Sequence, residues 1–133
     1  MKVRDVVKLL EANGGYLART RGSHHQYKHP TKPGLVTVPG SGGGDLAPGT
    51  LNSTLKAGGA EGMGKYLIVI EETEAGFSAY SPDLPGCVST GGIRDEVERN
   101  MREAIEFHLD GLQQDGQPIP KRSTSAAYVE VAA

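Results

Sequence analysis

A short segment of small residues, AGGAEGMG at 57–64, divides this 133-residue chain into two halves that differ in pattern and in charge. Segments rich in Gly and Ala bury little apolar surface and are typical of linkers. Eight residues span at most about 27 Å when fully extended, so such a linker keeps the two halves close together. The sequence therefore predicts two small modules, each with a thin apolar core.

The first half has the pattern of an α-β-β-β-α unit. Apolar residues recur at helical spacing in VRDVVKLLEANGG near the amino terminus. Three β-prone segments follow, two of them at about 16–21 and 24–29 around a Gly-Ser turn and the third in GLVTVPG. Pro48 or Thr50 can begin a second helix that ends at Gly58-Gly59.

The second half has the pattern of a β-β-β-α-β unit. Three β-prone segments, KYLIVIEE, GFSAYSPDLPGC and CVST, precede a long helix, IRDEVERNMREAIEFHLDGLQ, and SAAYVEVAA supplies a last strand. The helix carries one apolar stripe, formed by Ile93, Val97, Met101, Ile105, Leu109 and Leu112. Both halves are therefore predicted to be α+β folds, with domains at 1–58 and 65–133 and a linker at 59–64.

Charge separates the halves as well. Residues 1–62 contain eight Lys and Arg against four Asp and Glu, whereas residues 63–133 contain six against twelve. A basic module is suited to binding polyanions such as nucleic acid, and an acidic module can cover the basic one. A lone cysteine, Cys87, excludes an internal disulfide and suits a reducing compartment. We expect a cytoplasmic protein, since no apolar run approaches a membrane span and no signal peptide precedes the first helix.

The stretch TRGSHHQYKHP, residues 20–30, contains three of the four histidines. If 24–29 is a strand, alternation places His24, Gln26 and Lys28 on one face, which is polar throughout and is expected to face solvent or a ligand. Tyr27 lies on the opposite face and is expected to pack against the helices. The histidines are thus interpreted as metal ligands, as ordinary strand residues, or as groups that handle phosphate.

The sequence contains few candidate ligands for metal-dependent chemistry. A zinc site requires several His, Cys or carboxylate ligands that converge, and Cys87 lies in the other half. Two-metal nuclease chemistry requires clustered carboxylates, and the first half has four scattered ones, Asp5, Glu11, Asp45 and Glu61. We therefore predict no metal ion and no cofactor.

Metal-free RNA cleavage is the third hypothesis. A neutral imidazole takes the proton of a ribose 2′-hydroxyl, and the oxyanion attacks the adjacent phosphorus while a cation stabilises the developing charge. His24 and Lys28 supply that pair on one strand face. The other predicted RNA-binding residues supply hydrogen bonds or positive charge and are Ser23, Gln26, Arg19, Arg21 and Lys32. A surface strand that happens to contain histidines is the alternative.

The segment RGSHHQYKHPTKPGLVTVPG, followed by DLAPGTLNSTLK, resembles the HicA family of toxins. The resemblance implies a small RNA-cleaving module with a double-stranded-RNA-binding-like fold. The catalytic histidine of that family follows a Gly-Ser pair, which assigns the catalytic role to His24.

The second half resembles HicB, the antitoxin that binds and silences HicA, in YLIVIEETEAGFSAYSPDLPGCVSTGG and NMREAIEFHLDGLQQDGQPIP. This resemblance implies a partial ribonuclease-H-like fold. The whole chain then resembles a toxin–antitoxin pair in one polypeptide, whose acidic half denies mRNA access to the basic half, by a contact that is intramolecular or domain-swapped. We also expect a homodimer or higher oligomer, and no operator binding, since no DNA-binding segment follows the antitoxin-like part.

Other hypotheses remain open at this point. The first half can be a non-catalytic RNA-binding module whose second half mediates oligomerisation, or a toxin that no longer folds alone. In the second half, Asp83 and Glu71 are candidate ribonuclease-H carboxylates, although most acids lie on the exposed face of the helix. Cys87 and His108 are expected to be structural, and the Pro82–Gly86 turn is expected to reverse the chain or to dock on the first half.

Overall fold

The computed structural model of this chain describes residues 1–40, 42–50 and 65–132. The first half consists of α1 (Val3–Ala12) and an antiparallel sheet of β1 (Tyr16–Arg21), β2 (His24–Lys28) and β3 (Val36–Pro39), in that order. Residues 48–50 are helical. The rest of the second helix predicted to end at Gly58-Gly59, and the linker predicted at 59–64, lie outside the described residues.

The first core lies between α1 and one face of its sheet. The apolar stripe of α1 buries Val3 and Val6 against the sheet, where Tyr27 and Val38 meet them. Tyr27 is thus on the helix side of β2, as strand alternation predicted. Because successive strand residues point to opposite faces, His24 and its polar neighbours point away from this core.

The second half consists of an antiparallel sheet of β4 (Val69–Thr73), β5 (Gly76–Tyr80) and β6 (Val88–Gly91), followed by α2 (Arg94–Gln114). The amino-terminal part of α2 packs on this sheet. The core there is formed by Ala79, Leu84, Cys87, Val97, Met101 and Ala104. The α+β class predicted for the chain is confirmed.

The apolar stripe predicted for α2 is wrong at its first position. Ile93 is 63% exposed, because it precedes the helix with an extended backbone and its side chain does not continue the helical face. Toward the other end of α2 the buried residues include Phe107, His108 and Gly111, which the stripe did not contain. The long helix therefore has a second buried face, and that face contacts the first half.

The last strand predicted over SAAYVEVAA is also wrong, since residues 117–132 contain no strand. The residues between α2 and this segment are held by hydrogen bonds. The Tyr66 hydroxyl donates to the Pro120 carbonyl at 3.3 Å, and Asp83 accepts from Ser123 and Thr124. A β-prone segment forms a strand only beside a partner strand, and residues 125–132 have none within the described chain.

The two halves pack edge to edge as well as face to face. The Thr37 N–H on β3 donates to the Gly86 carbonyl at 2.7 Å, so the Pro82–Gly86 turn both reverses the chain and contacts the first half. Gly86 has φ of +84°, and a Cβ there would lie 2.5 Å from the Leu35 carbonyl oxygen. Val88 of β6 belongs to the first core, next to Val36 and Val38 among others. The halves therefore share apolar interior.

Within the described ranges, no helix has the length and apolar character that crossing a membrane requires.

Candidate functional site

One face of the first sheet brings together five of the seven predicted site residues. Strand alternation places His24, Gln26 and Lys28 on the same side of β2. The register pairs Arg19 of β1 with Gln26 and Arg21 with His24, and directly opposed residues share a face. We call these five residues the basic face.

The other two predicted residues lie away from the basic face. Ser23 is exposed in the turn between β1 and β2, beside a groove of about 470 Å³ that His24 also lines. Lys32 is exposed in the turn after β2, where its N–H donates to Nδ1 of His29 at 3.1 Å. Because Nδ1 of His29 accepts, its Nε2 donates to the Asn13 carbonyl, at 2.7 Å. His29 therefore holds a turn together.

The carboxyl-terminal part of α2 covers the basic face, which the sequence had predicted to face solvent or a ligand. The Lys28 ammonium lies 3.1 Å from Oδ1 of Asp115, and Arg19 pairs with the same carboxylate. The side-chain amide of Gln26 donates to the Phe107 carbonyl at 2.9 Å. Two of the predicted phosphate-binding cations are thus paired with one acid of the other half.

Arg21 makes a second, more exposed contact with α2. Its Nη1 donates to Oδ2 of Asp110 at 2.8 Å, and its guanidinium carbon lies 4.9 Å from the centre of the Phe107 ring. Both partners of this ion pair are 51% exposed, whereas the Asp115 side chain is 10% exposed. Solvent screens the outer pair, so the pairs at Asp115 contribute more to holding the halves together.

His24 is buried between the halves. Its residual exposure is 2%, and Nε2 lies 3.1 Å from the Ser89 hydroxyl on β6. Burial lowers the pKa of the imidazole below its ordinary value of 6.5, the Glu103 carboxylate opposes this shift, and His25 adds to it. The ring is therefore neutral at physiological pH, which is the form that accepts a proton. The Lys28 ammonium, on the same face, is engaged with Asp115.

A buried polar network lies beside His24. The Gln26 amide donates to the Thr37 hydroxyl at 3.2 Å, and this hydroxyl lies 2.7 Å from Nδ1 of His108 on α2. Burial lowers the pKa of His108 to about 4, so this ring is also neutral. A Cβ at Gly111 would lie 2.6 Å from Oε1 of Gln26 and 2.8 Å from Leu35, so only glycine lets α2 approach this closely.

The polar residues of the second half that the sequence singled out have structural contacts. Glu71 accepts from the backbone N–H and the hydroxyl of Thr50, at 2.8 and 2.7 Å, which joins β4 to the start of the helical turn at 48–50. Asp83 accepts from Ser123 and Thr124. Cys87 is fully buried, and burial raises the pKa of its thiol. In the described part of the chain, no cluster of three or more His, Cys, Asp or Glu is placed to hold a metal ion.

Sequence reasoning missed the residues of the second half that contact the basic face. They are Ser89, Phe107, His108, Asp110, Gly111 and Asp115. The excess of acidic residues in the second half did indicate a cover for the basic half. It did not indicate which acids, because an acid on a helix face has the same pattern whether its partner is solvent or an arginine.

Residues 66–132 match the family of HicB-like antitoxins of bacterial toxin–antitoxin systems, and residues 3–60 match the HicA toxins of bacterial toxin–antitoxin systems. The chain belongs to the HicB-like antitoxin family and carries a HicA toxin domain in front of the antitoxin domain. The resemblance predicted from the sequence motifs is therefore confirmed.

Individual relatives match about half of the chain. A UPF0150 protein of Helicobacter pylori is 42% identical over 65 residues, which are 48% of this chain and 90% of that protein. An uncharacterised 14.9 kDa protein of Haemophilus phage HP1 is 38% identical over 64 residues, 48% of each chain. Antitoxin HicB 2 of Photorhabdus laumondii is 31% identical over 70 residues, 52% of this chain and 50% of that one. The chain thus spans about half the length of the last two. No solved structure matches it significantly.

Proposed function

We propose that this chain is a toxin fused to its own antitoxin. Residues 1–58 form a metal-independent mRNA-cleaving domain, and residues 65–133 form an antitoxin domain that keeps it inactive. The segment 59–64 is the linker between the two. The toxin and antitoxin families of the two halves support the general class, and the geometry around His24 supports the inhibited state. Since its substrate is mRNA, we place the protein in the cytoplasm.

The position of His24 carries this proposal. A general base must reach the proton that it abstracts, at a heavy-atom distance of about 2.6–3.2 Å. His24 is 2% exposed, and the Ser89 hydroxyl lies 3.1 Å from Nε2, where a ribose hydroxyl would have to bind. When the two halves are in contact, as in this structure, Ser89 therefore occupies the position that we propose for the ribose hydroxyl of the substrate. We call this arrangement the closed chain.

The chemistry follows from the residues of the basic face once it is uncovered. The neutral His24 ring takes the proton of a 2′-hydroxyl, and the 2′-oxygen forms a bond to the adjacent phosphorus while the bond from phosphorus to the 5′-oxygen breaks. The 5′-oxygen takes a proton from water, and the product ends in a 2′,3′-cyclic phosphate. Lys28 and Arg19 stabilise the charge that develops on the phosphoryl oxygens. DNA lacks the 2′-hydroxyl and is not cleaved.

The antitoxin domain neutralises the same cations. Asp115 pairs with Arg19 and Lys28, and Asp110 pairs with Arg21, so the three charges that would hold phosphates are engaged. A short tether gives the inhibitor an effective concentration of about millimolar, so the form in which the two halves are in contact dominates whenever the dissociation constant of that contact is well below this value. We therefore expect the intact chain to be a poor ribonuclease.

The test is an opened full-length chain. Asp110→Arg with Asp115→Arg reverses both acids that contact the basic face, whereas Glu98→Arg with Glu106→Arg makes the same charge change on exposed positions of the same helix. End-labelled RNA is incubated with each protein in EDTA, and circular dichroism checks that both variants are folded. We expect the first variant to cleave RNA and the second to match the unchanged chain.

A third protein separates catalysis from binding. His24→Ala in the opened chain is expected to lower the cleavage rate by about 10²–10⁴-fold, the usual contribution of a general base, while RNA binding is kept. RNA binding without cleavage in the opened chain would instead identify a non-catalytic RNA-binding module. Cleavage that survives His24→Ala would remove the catalytic role from this residue.

A further inference from the structure

Phe107 of α2 is a buried aromatic residue that belongs to neither apolar core. It is 3% exposed, yet the two clusters of buried apolar residues in the described chain do not include it. The basic face covers it instead, since the guanidinium carbon of Arg21 lies 4.9 Å from the centre of its ring. The surface that the ring meets is therefore suited to a flat aromatic group.

Phe107 also presents a carbonyl oxygen to the basic face. Its backbone carbonyl accepts a hydrogen bond from Nε2 of Gln26 at 2.9 Å, although it lies within a helix. Gly111, one turn later, leaves room for this contact, because a Cβ there would lie 2.9 Å from the same Nε2. One residue of the second half thus meets the basic face with both a ring and a carbonyl oxygen.

The orientation of the Gln26 amide is set within the first half. Arg19 donates to Oε1 of Gln26 at 3.0 Å. Because a guanidinium only donates, the atom that it meets is the amide oxygen, and the amide nitrogen is directed toward Phe107. Gln26 therefore offers a hydrogen-bond donor, and not an acceptor, at this position on the basic face.

A nucleobase presents the same two features. Unstacked bases of single-stranded RNA stack on aromatic rings or guanidinium planes and form hydrogen bonds through their edges. Guanine and uracil carry exocyclic oxygens, which accept a hydrogen bond, whereas the exocyclic group of adenine is an amino group, which donates. The donor of Gln26 therefore favours a base with an exocyclic oxygen over adenine.

The position of these groups fits a base beside the cleaved bond. Arg21 lies directly opposite His24 in the pairing of β1 with β2, and Gln26 lies on the same strand face as His24. Directly opposed residues have Cβ atoms about 4.5–5.5 Å apart. The edge of the Arg21 guanidinium binds Asp110 while its plane faces the Phe107 ring, so this arginine can hold a phosphate and a base together.

We infer that Arg21 and Gln26 form a nucleobase subsite for guanine or uracil, and that Phe107 occupies this subsite in the closed chain. The inference rests on the proposed function, because the base belongs to the RNA substrate, and it adds a base preference at the cleaved bond. Together with the Ser89 hydroxyl and the carboxylates on the cations, Phe107 completes an antitoxin surface that resembles a bound nucleotide.

Removal of the ring gives a test that requires no cleavage. Phe107→Ala in the full chain vacates the subsite, whereas Met101→Ala removes a large buried side chain from the same helix where it packs in the second core. Each chain is titrated with inosine and adenosine 5′-monophosphate, whose bases differ in carrying an exocyclic oxygen or an amino group, and binding is followed by nuclear magnetic resonance. We expect Phe107→Ala to bind the inosine nucleotide about 3–10-fold more tightly, which is the effect of one hydrogen bond. The unchanged chain and Met101→Ala should bind neither.

Cleavage by the opened chain, with Asp110→Arg and Asp115→Arg, gives the second test. A DNA oligonucleotide with a single ribonucleotide confines cleavage to one bond, and each of the two nucleotides that flank this bond is varied between hypoxanthine and adenine. At one of these positions we expect hypoxanthine to raise the cleavage rate about 3–10-fold. Gln26→Met keeps an unbranched side chain without an N–H donor, and it should abolish this preference while cleavage continues.

The two tests separate the subsite from the ribonuclease activity. If the opened chain cleaves no RNA, the titration of Phe107→Ala still decides whether the subsite exists, and if Phe107→Ala does not fold, the cleavage rates decide. Equal affinities for the two nucleotides, equal cleavage rates for the two bases, or a preference that survives Gln26→Met would each overturn the inference. Cleavage without a base preference would leave the ribonuclease in place and remove the subsite.

Discussion

The hydroxyl of Ser89 on β6 lies 3.1 Å from Nε2 of His24 on β2. This hydrogen bond joins the two sheets near the edge contact between Thr37 and Gly86. At another part of the basic face, Asp110 of α2 pairs with Arg21, and Asp115, the residue that follows α2, pairs with Arg19 and Lys28. The interface between the halves therefore has a neutral part around His24 and a charged part at the end of α2, and mutations test the two separately.

The first prediction concerns the neutral part. Ser89→Ala leaves a buried imidazole nitrogen without its partner and is expected to lower the free energy of unfolding by about 1–3 kcal/mol. Ser81 is the matched control, because it is also fully buried and its hydroxyl has no hydrogen-bond partner in the described part of the chain. Ser81→Ala is expected to be neutral or stabilising. Urea unfolding of both variants gives the comparison, and equal losses would contradict it.

The second prediction concerns the close approach of α2 to the first sheet. Gly111→Ala would place a Cβ 2.6 Å from Oε1 of Gln26, so the helix must move or the Gln26 network must break. We expect the free energy of unfolding to fall by about 1–3 kcal/mol, even though Ala has a higher helix propensity than Gly. At Gly43 a Cβ meets nothing within 4 Å, so Gly43→Ala is the control. A stabilised Gly111→Ala variant in thermal or urea unfolding would show that the halves do not pack this closely.

The third prediction compares Asp110 of α2 with Asp115, the residue that follows the helix. Asp115→Asn removes the carboxylate that pairs with Arg19 and Lys28, and the Asp115 side chain is only 10% exposed. We expect the free energy of unfolding to fall by about 1–3 kcal/mol. Asp110→Asn removes one pair whose partners are both 51% exposed, and its cost should stay below about 1 kcal/mol. Unfolding measured at low and at high salt checks this order, since salt should reduce the smaller effect first. A reversed order would contradict the assignment of Asp115 as the main electrostatic contact.

The fourth prediction concerns pH. Burial lowers the pKa of His108 to about 4 in the folded chain, against 6.5 in the unfolded chain, so the unfolded state binds a proton first as the pH falls. The stability that this group contributes is fully present above pH 6.5 and is lost between pH 6.5 and pH 4. For such a shift, about 2 kcal/mol is lost on going from pH 7 to pH 5.

His108→Asn provides the comparison for this pH dependence. An asparagine keeps a hydrogen-bonding group near the Thr37 hydroxyl but does not titrate. The free energy of unfolding of this variant should vary less between pH 7 and pH 5 than that of the unchanged chain. The remaining slope should include His24, whose pKa burial also lowers. Parallel pH curves for the two proteins would show that His108 is protonated as readily in the folded chain as in the unfolded one.

The local pattern of the sequence was sufficient for most elements. The hairpin of β1 and β2 with its Gly22-Ser23 turn, the strand in GLVTVPG and the long helix all lie where periodicity and turn residues predicted them. Alternation along β2 also predicted correctly that His24, Gln26 and Lys28 share a face while Tyr27 enters the core. These features are set by residues close together in the chain.

Features set by contacts between distant residues were not predictable in this way. The face of β2 that carries His24 is polar, so the sequence predicts that it is exposed to solvent. In the structure it is buried against polar groups of the other half, among them Ser89 and the Phe107 carbonyl. Gly111 lowers the helix propensity of α2, and its role becomes visible only from the position of Gln26. The strand predicted at the carboxyl terminus does not form. Composition favours a strand there, but it does not supply a neighbouring strand to pair with.

Val88 belongs to the core of the first half although it lies in the second, which has a consequence during synthesis. Ribosomes add about 5–20 residues per second, so roughly 2–8 s pass between the addition of Leu46 and that of Val88. Throughout that interval the nascent basic half has a gap in its interior at the position that Val88 fills. The core of the first half can therefore be completed only after synthesis has passed well into the second half.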